Sequence, residues 1–285
     1  MNIGIRAHDL PKQTLSDLVS DLSSRQINTV QLALGKSFDL TPETGFITPG
    51  LANHIQTAFS KKGLRISVLG CYVNIIHPDQ QKRQRALTLF KEHLKYARDF
   101  GCSIVGTETG NVNAEIVYTE ENFTEKAFAD MVESVKELVL EAENFGVIVG
   151  IEPGVNHPLH SVDKVRRLVN AVPSNNLQII FDPVNLLTSD NYHNQREILS
   201  SAISEWGDKV AVIHAKDFVV EDDRLKFAPL GKGLLDYQLI FEQLIDKKPY
   251  IDIIMDEIHA KDIEASLAFI ESLGNVGSTI SNQPR

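Results

Sequence analysis

A parallel (β/α)8 barrel is the fold this sequence predicts, on three observations. Short apolar runs alternate with longer amphipathic ones from end to end, the apolar runs number eight, and the first of them leads into Ile-Gly-Ile-Arg-Ala-His rather than a glycine-rich phosphate fingerprint. The last point favours a closed barrel over a doubly wound open sheet. A chain of 285 residues suits one such barrel.

The predicted strands are 3–7, 29–34, 65–70, 103–106, 147–151, 177–181, 210–213 and 251–255. Runs such as Val147-Ile-Val-Gly-Ile and Leu177-Gln-Ile-Ile-Phe are apolar on both faces, as in a sheet covered by helices on each side. The helices between them carry recognisable ends. Thr48-Pro49 opens one that Gly63 follows, Asp79 precedes a long one that stops before Gly101, and Gly146 follows another. Ser161-Val-Asp-Lys, Asn194-Gln-Arg-Glu and Lys261-Asp-Ile-Glu open three more, the second spaced like a capping box. No linker or low-complexity segment interrupts the pattern. The whole of 1–285 reads as one barrel domain, with 274–285 a loose tail.

Composition narrows the function. With 42% hydrophobic and 23% charged residues the chain can bury a full core. A net charge of -10 removes any general attraction to phosphate backbones or anionic lipid, which argues against nucleic acid as a partner. Only Cys71 and Cys102 are present, in a chain too large to need disulfide staples, and the N-terminal run lacks the pattern of a signal peptide. No window approaches the roughly 18 unbroken apolar residues of a membrane span. A cytoplasmic protein with no membrane partner is the expectation.

In such barrels the strand C-termini form the active face, so the polar residues that end each apolar run carry the information. Four consecutive strands end in metal-ligand types: the fifth at Glu152, the sixth at Asp182, the seventh at His214 and the eighth at Asp256-Glu257. Neighbouring strands lie about 4.8 Å apart around one axis, so these ends can converge on a single ion. Taken singly, each residue fits a turn, a core histidine or an ion pair. Together, three carboxylates in a poorly solvated site repel one another unless a cation joins them. Glu152, Asp182, His214 and Glu257 are therefore the expected ligands of one divalent metal ion. At the eighth strand Asp256 competes, and Glu257 is preferred because its longer arm reaches from a strand end. The oxygen-rich set with one nitrogen suits Mn²⁺ first, with Mg²⁺, Co²⁺ or Zn²⁺ as alternatives.

Ile-Glu-Pro at Glu152, Phe-Asp-Pro-Val-Asn at Asp182, His-Ala-Lys-Asp at His214, Pro-Leu-Gly-Lys-Gly at Gly231 and Gly233, and Asp-Glu at Glu257 form an ordered set. It resembles the xylose isomerase-like TIM-barrel superfamily of sugar and sugar-phosphate isomerases and epimerases, nearest in style to ketose 3-epimerases. The resemblance implies that Glu152 and Glu257 are both ligands and acid/base groups on opposite faces of a small carbohydrate substrate. One would remove a proton beside the ketose carbonyl, giving a metal-bound enediolate, and the other would return a proton to the opposite face.

The sequence departs from that pattern at Asn185, which stands where the epimerases carry a histidine and can hydrogen-bond a hydroxyl but not titrate near neutrality. Lys216 reads either as a holder of a substrate oxygen or phosphate or as a structural ion pair. Glu108 after the fourth strand, and Asn74 and His77 after the third, complete the expected substrate-binding residues. His8, Gln31 and His157 sit at comparable loop positions but could as easily cap turns. Trp206 reads as shell packing, and the Gly231-Lys-Gly233 pair is too weak for a phosphate site.

An inosose dehydratase-like lyase would use the same barrel with one further acid. An abasic-site endonuclease is disfavoured by Asn185 and by the acidic charge, and a non-catalytic sugar-binding barrel has no need of the full ligand set. Barrels of this kind often pair through their outer helices into homo-oligomers, and no surface stripe picks out an interface.

Overall fold

A computed structural model describes residues 2–245 and 247–280, with side chains as far as residue 274. The strands are β1 (Asn2–Arg6), β2 (Thr29–Leu32), β3 (Arg65–Gly70), β4 (Ile104–Glu108), β5 (Ile148–Glu152), β6 (Leu177–Phe181), β7 (Val210–Ala215), β8 (Asp217–Glu221), β9 (Arg224–Ala228) and β10 (Asp252–Met255). Eight of them close into one parallel barrel in the order β1-β10-β7-β6-β5-β4-β3-β2. This is the (β/α)8 architecture that the alternation of periods predicts, and each predicted barrel strand is present within one or two residues at either end.

The helix ends follow local chemistry. Thr48 caps Pro49–Ser60 by accepting from Leu51 N, Asp79 caps Gln80–Tyr96 through Gln81 N and Lys82 N, and Ser161 caps Val162–Ala171 through Lys164 N. Each cap satisfies a backbone donor that the helix itself leaves free. The capping box expected at Asn194 does not form: its side chain accepts no cap hydrogen bond, and a short 3-10 turn, Tyr192–Asn194, leads directly into Gln195–Trp206. The last helix, Ile263–Ile280, continues past Gly274, where the sequence suggests a loose tail, and 281–285 lie outside the described residues.

Two layers of side chains set the height of the site. Val68, Ile180, Val212 and Ile254 pack together inside the barrel, apart from the larger shell between strands and helices. Gly106 and Gly150 complete this layer, since a methyl group on either would press on Ile180. Because side chains alternate across a strand, the residues two further along point the same way. Those residues include Glu108, Glu152, Asp182, His214 and Asp256.

The antiparallel hairpin β8–β9 is an addition to the eight predicted strands. It turns on Asp222 and Asp223, both left-handed with φ of 51° and 56°, as tight hairpins require. The loop that returns from it is clamped by Asp217, whose carboxylate accepts from the backbone N–H groups of Phe218, Gly231, Gly233 and Leu235 at 2.9–3.0 Å. Gly231 is left-handed (φ 77°), and a methyl group at Gly233 would overlap the Asp217 carboxylate. The Pro-Leu-Gly-Lys-Gly motif is thus a receptor for an internal carboxylate.

Candidate metal centre

Glu152, Asp182, His214 and Asp256 each offer a ligand atom, and these atoms lie within 4.8 Å of one another. All four residues are buried. They end β5, β6, β7 and β10, with Glu152 and His214 inside their strands and Asp182 and Asp256 one residue beyond. Three of the four expected ligands come together. At the eighth barrel strand the structure brings Asp256, rather than the expected Glu257, into the cluster. Ile254 pairs in register with His214 and faces inward, so Asp256 faces inward and its neighbour must face away. Glu257 lies at the rim with its side chain 45% exposed, 3.2 Å from Arg6. Its φ of 53° is left-handed, an uncommon conformation for a residue with a long side chain.

Hydrogen bonds fix the cluster from behind. His214 Nδ1 lies 3.1 Å from Glu152 Oε1, and its Nε2 lies 2.9 Å from Gln31 Oε1. Gln31 in turn donates to the Tyr72 hydroxyl. Nε2–H donates to the Gln31 carbonyl and Nδ1–H to the Glu152 carboxylate, so Nδ1 is the nitrogen turned toward the cluster and the one that could ligate an ion once deprotonated. Asn185 Nδ2 donates to Glu152 Oε1 at 3.0 Å, so this residue orients a ligand in the structure. Asp182 Oδ1 accepts from Val184 N and Asn185 N at 2.9 and 3.2 Å, which turns Oδ2 toward the cluster.

The donor set fits a divalent ion. Asp182 Oδ2 and Asp256 Oδ1 are buried without a hydrogen bond in good geometry, although each meets a cation. Lys216 Nζ is 2.8 Å from Asp182 Oδ2 and 3.2 Å from Asp256 Oδ2, and Arg6 pairs with Asp256. Buried carboxylates with unused lone pairs, beside an oriented imidazole, are what a hard or borderline cation takes up.

Electrostatics reflect the crowding. Burial raises the Asp182 carboxyl to about 6, with Lys216 pulling it down and Asp256 and Glu152 pushing it up. Burial also works against ionised Asp256, but Lys216, His214 and Arg6 outweigh it and hold this carboxyl well below the usual range. Glu152 is lowered because His214 outweighs its burial, and burial of His214 is likewise outweighed by Glu152, so the imidazole is raised. Glu108, the register partner of Glu152 on β4, is raised by burial and by that neighbour. Its Oε2 lies 3.5 Å from His157 Nε2, whose ring is fixed by an Nδ1 contact of 2.8 Å to Gly110 O.

Other expected substrate residues are engaged elsewhere. Asn74 donates to Asn111 O and Asn113 O and accepts from Ile76 N and Asn111 N, which commits it to shaping the loop after β4. His77 Nδ1 accepts from Asp79 N at the start of the next helix. Trp206 is fully buried, edge-on to Phe181 at 5.2 Å. A cavity of about 650 Å³ between Tyr118, Phe123, His160, Leu186 and Ile198 shares no residue with the cluster. A smaller one of about 250 Å³ opens beside it, walled by Phe227, Leu230, Asp256, Glu257 and His259.

Residues 22–273 match the model of the xylose isomerase-like TIM barrel, and the chain belongs to that family. No curated protein matches the sequence at a significant level. Among solved structures, a D-tagatose 3-epimerase-like protein superposes with a TM-score of 0.76 at 15% identity, over 99% of this chain and 100% of that one. An L-ribulose 3-epimerase gives 0.75 at 14% identity, over all of both chains. A xylose isomerase-like TIM barrel protein from Mycobacterium smegmatis, solved with magnesium, gives 0.70 at 14%, over 96% and 94%. At these identities the likeness is one of fold.

Proposed function

We propose that this protein is a divalent-metal-dependent isomerase or epimerase of a small sugar or sugar phosphate, acting by proton transfer at the carbon beside a carbonyl. The observation that carries the reading is the convergence of Glu152, Asp182, His214 and Asp256 at the C-terminal mouth of a family barrel. The epimerase neighbours support the substrate class. These four residues would hold the ion, which when bound supplies Lewis-acid polarisation of a substrate carbonyl; Mn²⁺ is the first candidate, and a neighbour that holds magnesium supports a hard cation.

The chain's own groups supply the proton chemistry. Glu152 is held by Asn185 and His214 with its carboxylate ionised, the state a general base requires. Asp256, gripped by Arg6 and Lys216, is too firmly anionic to be a proton donor. Glu257 at the rim is the second acid/base group, so that adjacent residues of the eighth barrel strand divide two tasks, ligation by Asp256 and proton return by Glu257. Its left-handed backbone is a strained feature of the kind that gathers at functional sites. Glu108, backed by His157, lies beside Glu152 as a contact for substrate hydroxyls.

The test is exchange of the proton adjacent to the carbonyl into heavy water across a ketose and ketose-phosphate panel with Mn²⁺ present. Exchange that Glu152→Gln abolishes, with product mass unchanged, supports the reading. Product lighter by one water converts it into a dehydratase, and no exchange across the panel refutes it.

A further inference from the structure

Lys216 stands two residues beyond His214, is 5% exposed, and places its ammonium between two of the four candidate ligands, 2.8 Å from Asp182 and 3.2 Å from Asp256. Three buried carboxylates cannot stay ionised side by side without compensating charge. Arg6 meets this need only in part, because it also serves Asp9 and Glu257 toward the rim. Lys216 faces inward and has no carboxylate partner among the described residues beyond Asp182 and Asp256.

We propose that Lys216 is a resident counter-cation, holding Asp182 and Asp256 in the metal-free protein and surrendering them to an incoming divalent ion. The inference rests on the metal-site reading above. Removing one partner from a buried ion pair is strongly unfavourable, so the carboxylates are tolerable without a metal ion because this ammonium sits among them. A monovalent ion brings no more charge than the ammonium it would displace, so the exchange selects dications. The ammonium already has a further partner: the Phe227 ring of β9 lies 4.7 Å from Nζ, a cation–π face that continues to hold it when the carboxylates turn to the ion. There it meets the anionic oxygen of a substrate, linking metal loading to substrate capture.

Mn²⁺ is titrated calorimetrically into chelator-stripped wild type, Lys216→Met and Lys216→Gln, and thermal unfolding is followed for each with and without Mn²⁺. The exchange predicts at least tenfold tighter Mn²⁺ binding in the neutral variants, a lower Tm for their metal-free forms, and a larger rise in Tm on adding Mn²⁺ than in wild type. Lys216→Arg, which keeps the charge, retains affinity near that of wild type. The glutamine variant can hydrogen-bond both carboxylates and so covers the case in which the methionine variant does not fold. Equal or weaker affinity in a folded neutral variant overturns the exchange, as does an equal loss of Tm with and without Mn²⁺. Failure of wild type itself to bind Mn²⁺ overturns the metal site, and the exchange with it, which keeps the two failures distinguishable.

Discussion

Asp252 opens β10 and Asp256 follows its last residue, four positions on and on the same side, yet their surroundings differ in kind. At the N-terminal end, Asp252 accepts from Arg65 at 2.8 and 2.5 Å, from Ser67 at 2.5 Å and from Asn2 at 2.9 Å. That carboxylate is satisfied by neighbours on β1 and β3 and ties the first strand to the last. At the other end, Asp256 faces a second aspartate, a glutamate and an imidazole, and one of its oxygens finds no well-aligned donor. One barrel thus carries a closed charge network at its bottom and an open one at its mouth. The first is a network that stability alone explains, and the second is one that could hold a cation.

The comparison breaks most sharply if activity does not depend on the mouth. Glu152→Gln keeps the size of the side chain and removes its charge, so proton exchange should fall by roughly 10²- to 10⁴-fold, the usual worth of a positioned acid or base, with the Tm little changed. A deuterium-exchange assay beside a melting curve checks both. Glu257→Gln should lower epimerisation comparably while leaving Mn²⁺ affinity within a few fold. Loss of metal binding instead would return Glu257 to the ligand set.

Next in size is the open network itself. Asp256→Ala removes the buried carboxylate that Lys216 and Arg6 share, leaving Lys216 to Asp182 and Arg6 to Asp9 and Glu257, and should cost up to about 3 kcal/mol in metal-free protein, measured by urea unfolding. Asp256→Asn, which leaves the shape, should abolish tight Mn²⁺ binding at a smaller cost in stability.

The smallest expected effect concerns the closed network and acid. Burial would raise the Asp252 carboxyl, but its bonds to Arg65 and Ser67 outweigh that and keep it lowered. A carboxyl lowered in the folded state contributes stability above its unfolded value, about 3.9, and loses that contribution as pH falls through the folded value. Below about pH 4, then, Asp252→Asn should lose stability with acid less steeply than wild type, while metal affinity at neutral pH stays unchanged. A change in metal affinity would show that the two ends are not independent.

Much of this architecture is legible in the sequence, because a covered parallel barrel demands apolar runs at regular intervals and the chain supplies eight. The ligand set is mostly legible for the same reason: burial at the end of an apolar strand costs a polar side chain its water, so it needs a partner at the barrel mouth. At the eighth strand, reach favours Glu257 but direction decides. Alternation counted forward from Ile254 selects Asp256, since the pleat fixes which way a side chain points before its length can matter. The hairpin carries a signal of its own, the alternation in Phe-Val-Val-Glu-Asp-Asp-Arg-Leu-Lys-Phe about an Asp-Asp turn.

Gln31 is different. Its partner His214 is 183 residues away, and nothing local marks a glutamine on β2 as the group that orients an imidazole on β7. Asn185 stands out in the sequence as a departure from the epimerase pattern, but its bond to Glu152 depends on the pairing of β5 with β6 and on the turn that Asp182 builds. Such positioning residues belong to the assembled barrel rather than to any segment of it.

The most direct test of the central claim is metal content. Purified protein stripped with chelator, dialysed against Mn²⁺ and assayed by elemental analysis should hold one ion per chain. That ion should be lost in His214→Ala and retained in Asp252→Asn. Wild type that stays free of metal under these conditions, or equal metal content in His214→Ala, would contradict it.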